Sequence, residues 1–175
     1  MSNIEFSRAW CMPNSNTFSM KPVEAIIQKY IAGLQEGAVI VDPFANTSTF
    51  GNVTNDLDPS SPAMYHMDAY DFLRGLSTEF TDMVLFDPPY SSRQVSECYK
   101  KFGRTVDMTT TQASYWTKLR TEIARIMKPG GVCISCGWNS GGVGKTNGFE
   151  IKEILLVAHG GIHNDTIVTV DVKVE

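Results

Sequence analysis

Little in this sequence ties it to a membrane, a metal or an oxidising compartment. Across 175 residues no apolar run approaches the roughly 20 needed to span a bilayer, and the N-terminus lacks the apolar core of a secretory signal. Cysteine is sparse. Four residues are too few and too scattered for the disulfide framework of a small secreted domain, so reduced thiols and a cytoplasmic location are expected. Cys133 and Cys136 have the spacing of half a zinc site, but three residues apart on a strand they would face opposite sides. Only three histidines accompany them, with no cluster to complete a tetrahedron, so no metal is expected. Charge is also modest, at 19% of residues and a net −4. That excludes a general polyanion binder and leaves any nucleic-acid contact to a local basic face. Residues 141–146 imitate a phosphate loop, but Asn139 stands where its first glycine is required.

What remains is an ordinary globular composition, 42% hydrophobic, in a length that suits one domain. Residues 1–21 read as mostly irregular. Helical spacing of Val23, Ile26, Ile27, Tyr30, Ile31 and Leu34 predicts a helix over 23–34, with Pro22 suited to its first turn. Unbroken apolar runs of the doubly covered, parallel kind follow at 38–42 and 82–86, with further strands at 50–56 and 64–67. A short helix is expected over 69–76 and a longer one over 113–127. The latter is closed by Lys128-Pro-Gly-Gly131, after which residues 132–137 form a fifth strand. Residues 149–158 and 166–174 read as an antiparallel pair joined through 160–165. His159 and His163 fall to loops.

The strand over 82–86 stops abruptly in Asp87-Pro88-Pro89-Tyr90, because two prolines cannot extend a ladder. Asp87 therefore sits at the carboxyl end of a strand, where open α/β sheets place ligands. Its carboxylate and the Pro88 carbonyl can accept both hydrogens of an exocyclic amino group. The prolines keep those acceptors aimed, and Tyr90 offers a ring for a base to stack on. This stretch resembles motif IV of the DNA amino-methyltransferases, which methylate adenine or cytosine using S-adenosylmethionine. The Lys21-Pro22 pair resembles their motif X, which borders the methionine end of the cofactor. Asp42-Pro-Phe-Ala-Asn-Thr-Ser-Thr49 resembles motif I, matching it at Asp42, Pro43, Phe44, Ala45 and Thr49.

The order of these motifs resembles the gamma-type adenine methyltransferases, and more closely the small phage-encoded adenine methylases. The resemblance implies a single Rossmann-like α/β methyltransferase domain over residues 1–175. Its seven strands would run 3-2-1-4-5-7-6 with the last pair antiparallel. It implies S-adenosylmethionine as cofactor, held by Lys21, Pro22, Asp42, Phe44, Ala45, Asn46, Asp56 and Asp68. Asp56 would take the ribose hydroxyls, with Asp58 competing for that role, and Asp68 would face the adenine ring. Asp87, Pro88, Pro89 and Tyr90 would hold an adenine flipped out of DNA. An aspartate in first position favours adenine over cytosine in that family.

Two departures stand out. Both motif I glycines are replaced, by Asn46 and Ser48, although asparagine tolerates left-handed backbone better than most residues. Only about ten residues separate the first two parallel strands, and the next connection is short and proline-rich, so neither has room for a helix. A sheet trimmed in this way leaves an apolar face open, through which a homodimer or partner contact is expected.

The polar connection over 91–112 reads as a long loop. Arg93, Lys100, Lys101 and Arg104 outnumber its acids, with Tyr99 and Phe102 interleaved. It reads equally as a solvated segment or as a nucleic-acid-facing loop. Two rival functions stay open at this level: an RNA amino-methyltransferase, and a binding or anti-restriction protein that keeps the fold without the activity.

Overall fold

The computed structural model describes residues 3–106 and 113–174. Seven strands form one sheet: β1 (Glu5–Trp10), β2 (Ile40–Asp42), β3 (Val53–Thr54), β4 (Thr81–Phe86), β5 (Met127–Gly137), β6 (Phe149–Ala158) and β7 (Thr166–Lys173). Their order is β1-β6-β7-β5-β4-β2-β3, and β7 alone runs against its neighbours. Six of the strands expected in the order 3-2-1-4-5-7-6 appear in that sequence; the third is missing, and β1 supplies the seventh at the opposite edge. Helices α1 (Lys21–Ile31), α2 (Ala69–Gly75), α3 (Ser92–Lys101) and α4 (Ala113–Ile126) cover the sheet.

The central strands are apolar on both sides because both faces are covered. Met83 and Leu85 of β4 pack with Val23 and Ile27 of α1, while Val84 and Phe86 pack with Leu119 and Ile123 of α4. Cys133 belongs to the α4 side and Cys136 to the α1 side, so the two thiols point apart as their spacing requires. Both are free and buried. Among the described residues no cluster of potential metal ligands occurs, and no helix is long and apolar enough to cross a membrane.

As anticipated, no helix intervenes between β2 and β3 or between β3 and α2. Asparagine side chains take over the missing order. Asn52 accepts from Ile40 N–H and donates to the Ala38 carbonyl, each at 2.8 Å. Asn55, wholly buried, donates to the carbonyls of Pro43 and Met67 and accepts from Met67 N–H. The short crossover also needs a close approach at Gly51, where an added Cβ would lie 2.9 Å from the Asp42 Cβ.

Three expectations need correction. Residues 5–10, read as irregular, form β1, paired in parallel with β6. Phe6, Arg8 and Trp10 of β1 are all exposed, so the strand has no apolar-in, polar-out alternation to read. His159 lies in a loop as read, just after β6, but it is buried and ties this strand down. Its ring nitrogens meet the Cys11 carbonyl at 2.8 Å and the Thr166 hydroxyl at 2.9 Å. The strand expected over 64–67 shrinks to a single bridge, Asn55 with Tyr65, because its backbone follows Asn55 rather than a full ladder.

The last correction lies beyond the Asp-Pro-Pro-Tyr turn. The connection read as a loop contains helix α3, opened by a capping box in which Ser91 and Gln94 satisfy each other's backbone N–H. Residues 107–112 of that connection lie outside the described residues. The Lys128–Gly131 turn is accommodated as a bulge inside β5, with Gly130 at φ 81°. Exposed large apolar side chains gather in two places, around β1 (Ile4, Phe6, Trp10, Met12) and after β3 (Met64, Tyr65, Met67), with Trp138, Ile162 and Val174 elsewhere.

Candidate active site

β2 and β4 are parallel neighbours, so their carboxyl ends bring Asp42 and Asp87 to the same edge of the sheet. Each chain turns away at once, through Pro43 and through Pro88-Pro89. An open cleft of about 440 Å³ lies above them, lined among others by Thr17, Phe44, Asn46, Asp56, Asp87 and Tyr90. A cavity of about 60 Å³ adjoins it, sharing Phe44, Asp56 and Pro89, with Met67, Asp68 and Tyr99 in its remaining wall.

Asp42 does not line the cleft; it braces the floor. One carboxylate oxygen accepts the Phe44 N–H at 3.1 Å, and the other is buried without a partner. Complete burial pushes its pKa well above the usual carboxylate range, against the Phe44 hydrogen bond, and the nearby charges of Asp87 and Asp56 push the same way. Above it Asn46 takes the left-handed conformation, φ 48°, that the replaced glycine would have supplied. Asp56 fixes that turn by accepting the Asn46 N–H at 2.7 Å and, through its other oxygen, the Asp58 N–H at 2.8 Å. Asp58 lines the same cleft and holds Ser60 through backbone and hydroxyl. Ala45 is buried in the turn.

Asp68 caps α2 by accepting the Tyr70 N–H at 2.9 Å, and its second oxygen receives the Tyr99 hydroxyl from α3. It therefore reaches the smaller cavity as a member of a hydrogen-bonded pair. Lys21 and Pro22 form the first turn of α1 and line a separate groove with Trp10 and Met12. The preceding loop reaches the cleft in their place, through Asn14, Ser15 and Thr17.

Around the Asp-Pro-Pro-Tyr turn, Tyr90 donates its hydroxyl to Asp87 at 2.6 Å. Desolvation raises the Asp87 pKa, while hydrogen bonds from Tyr90 and Thr17 hold it down. The Tyr90 phenol is itself pushed up, first by burial and then by the Asp87 charge. Trp116 of α4 donates its indole N–H to the Pro89 carbonyl at 3.0 Å, which pins the turn from the other side. Behind the turn lies a further cavity of about 170 Å³, walled by Pro88, Tyr90, Trp116, Trp138 and Arg120. Pro88 and Tyr90 line both this cavity and the cleft, so they partition the two.

α3 starts directly beyond the turn and carries Arg93, Lys100 and Lys101 on its exposed side, with Arg104 just after it. Its inner face is secured by Val95 and Tyr99. Arg93 pairs with Glu97 at 2.8 Å, and Lys101, at the cleft wall, lies 3.8 Å from Asp58. Sequence reasoning missed Trp116, Trp138 and Arg120, which stand far along the chain in patterns that read as core helix or loop. Thr17 was within reach, since it opens the polar segment before Lys21-Pro22.

No protein-family model matches the sequence, and no curated protein matches it. Solved structures share the fold at low identity. TrmN from Thermus thermophilus is 17% identical, covers 89% of this chain and 49% of its own, and has a TM-score of 0.54. The chain thus spans about half the length of TrmN. The 1,6-didemethyltoxoflavin-N1-methyltransferase of Burkholderia thailandensis, solved with its substrate and S-adenosylhomocysteine, is 11% identical. The match covers 89% of this chain and 78% of that one at a TM-score of 0.59. The yhhF protein of Escherichia coli is similar at 9% identity over 94% of this chain and 92% of its own, TM-score 0.57. These likenesses establish the fold, a Rossmann-like methyltransferase sheet with an antiparallel last pair.

Proposed function

We propose that this protein transfers a methyl group from S-adenosylmethionine to the exocyclic amino group of adenine in DNA. One observation carries the reading: Pro88 and Tyr90 stand as a partition between two spaces, with Asp87 beside it. A transfer between two substrates requires such a meeting point, and catalysis of this kind is mostly alignment.

The residues present suit the cofactor. Asp56 and Asp58 offer carboxylate oxygens to hydroxyl donors in the cleft, and Phe44, Met67 and Pro89 make an apolar slot for an aromatic ring beside it. When bound, S-adenosylmethionine supplies an electrophilic methyl group. The chain's own part is to hold the nucleophile. Asp87 and the Pro88 carbonyl accept the two amino hydrogens, which turns the nitrogen lone pair toward the cleft. Forming the nitrogen–carbon bond would break the sulfur–methyl bond, releasing S-adenosylhomocysteine, and the nitrogen would shed a proton that a carboxylate with a raised pKa is suited to take.

DNA is the partner proposed, on the resemblance of the Asp-Pro-Pro-Tyr turn, with Lys101 lining the cleft and Arg93, Lys100 and Arg104 exposed along and just after α3 on an otherwise acidic protein. A homodimer, through the apolar side chains Met64, Tyr65 and Met67 that the helix-free connections leave exposed, belongs to the same proposal. Light scattering that returns a monomer at micromolar concentration counts against that part. For the activity itself, the protein is incubated with S-adenosylmethionine labelled in its methyl group and with unmethylated DNA or RNA in parallel tubes. Label entering DNA supports the reading. Label confined to RNA replaces the substrate, and label in neither removes the activity.

A further inference from the structure

The cavity behind Pro88 contains a cation with no settled role. Arg120 reaches it from α4, and its Nε is buried without a hydrogen-bond partner. Beneath it Asp171 is wholly buried, with one carboxylate oxygen equally unpartnered. The two charges influence each other without joining, and burial pushes Asp171 up to about 6 against the pull of Val143 N–H and Arg120.

Asp171 is committed elsewhere. Its second oxygen accepts the Val143 N–H at 2.8 Å, and Gly142 packs so closely that an added Cβ would fall 1.9 Å from it. The acid thus fastens the glycine-rich loop as one side of the cavity and sets a negative charge below the guanidinium.

Among the described residues other side chains of the wall are already engaged, while Trp138 and Asn139 are open to solvent. Trp116 gives its N–H to Pro89, Tyr90 its hydroxyl to Asp87, Asn139 accepts from Gly141 N–H, and Ser135 meets Cys133. Among the described residues Arg120 Nε is the buried side-chain donor of this wall without a partner. A guanidinium has donors and no acceptor, so it suits a heteroaromatic ring that presents a bare ring nitrogen or carbonyl and opposes one that presents N–H. Tyr90, Trp116 and Trp138 supply aromatic walls of the kind such a ring stacks on.

We propose that Arg120 is a specificity-determining residue that donates a hydrogen bond to a ring nitrogen of the adenine whose amino group Asp87 holds. The proposal rests on the methyltransferase reading above. If the contacted nitrogen is N1, the bond favours adenine over guanine, whose N1–H would face a donor, through a contact separate from Asp87; a contact to N3 or N7 orients the base without that discrimination.

The test is a cycle between Arg120 and the base. The wild type, Arg120→Met and Arg120→Lys are compared on oligonucleotides carrying adenine, 1-deaza-, 3-deaza- or 7-deazaadenine at one methylated position. Melting temperature and S-adenosylhomocysteine affinity are measured for each variant. The expected result is that one deaza analogue lowers wild-type kcat/KM about tenfold or more. Arg120→Met then treats that analogue and adenine alike to within about twofold, the coupling signature of a direct contact. Arg120→Lys keeps the charge without the fork and falls between. A flat deaza series in the wild type overturns the assignment without recourse to any variant. An equal loss by Arg120→Met on all four substrates overturns it as well, by showing a merely structural role. A wild type that methylates no oligonucleotide overturns the functional reading and the contact with it, an outcome distinct from activity without coupling.

Discussion

The Tyr90 hydroxyl donates to the Asp87 carboxylate over 2.6 Å, so the ring expected to receive a base is tied to the acid that would hold its amino group. The same ring stands edge-on to Trp138, with centroids 5.8 Å apart at 70°. Tyr90 thus links the cleft, the partition and the far cavity through a single side chain.

That link sets the pH behaviour of the site. Burial raises the Asp87 pKa, and the Tyr90 hydrogen bond opposes the rise by favouring the ionised form. Transfer needs the carboxylate, so the rate should fall as pH drops through a value above that of an exposed aspartate. Tyr90→Phe removes the opposing bond and raises the pKa further, so its acid limb should move to higher pH. A profile of kcat/KM against pH for both proteins checks this. An unmoved limb, or one moved to lower pH, contradicts it.

Asp87→Ala should abolish transfer while S-adenosylhomocysteine affinity, read by calorimetry, stays within about threefold of wild type. The side chain stands at the partition, whereas the groups assigned to the cofactor lie on Phe44, Asn46, Asp56 and Asp58. A carboxylate contact that matters as the nitrogen attacks is the kind whose loss lowers kcat directly.

Asn46 occupies a left-handed position, φ 48°. Asn46→Gly should therefore leave the fold as stable as wild type, since glycine adopts that conformation freely. Asn46→Val places a β-branched residue there and should destabilise the protein by about 1–2 kcal/mol in urea unfolding. Equal midpoints for the two variants would contradict the geometry.

Asp56→Ala releases two backbone N–H groups at once, those of Asn46 and Asp58. S-adenosylhomocysteine affinity should fall about tenfold or more, because charge-assisted hydrogen bonds of this kind contribute about 1.5–3 kcal/mol each to holding a loop. Titration of the variant at constant salt checks it.

Much of this arrangement is legible in the sequence because it rests on strong local signals. Residues 38–42, 82–86 and 132–137 are mostly apolar runs, and such runs become doubly covered strands of the sheet. A strand that must end at Pro88-Pro89 fixes Asp87 at the sheet edge. The left-handed turn at Asn46 follows from residue type. β1 was hidden because Phe6, Arg8 and Trp10 all face solvent. α3 was hidden because only Val95 and Tyr99 of its ten residues are buried, and its capping box sits inside a polar stretch. Lys21 and Pro22 are placed in a neighbouring groove because the helix begins at Lys21, one turn beyond the loop that reaches the cleft. Arg120 and Trp116 could not be read at all. Their roles depend on α4 packing behind a turn some 27 residues earlier, the separation of Trp116 from Pro89.

The most direct test of the account is the identity of the methylated nucleoside. DNA and RNA are incubated separately with the wild type or Asp87→Ala and S-adenosylmethionine, digested, and read by mass spectrometry. The account predicts adenine methylated on its exocyclic nitrogen, in DNA, with the wild type alone. A methyl group on any other base or ring position, or equal product from Asp87→Ala, would contradict it.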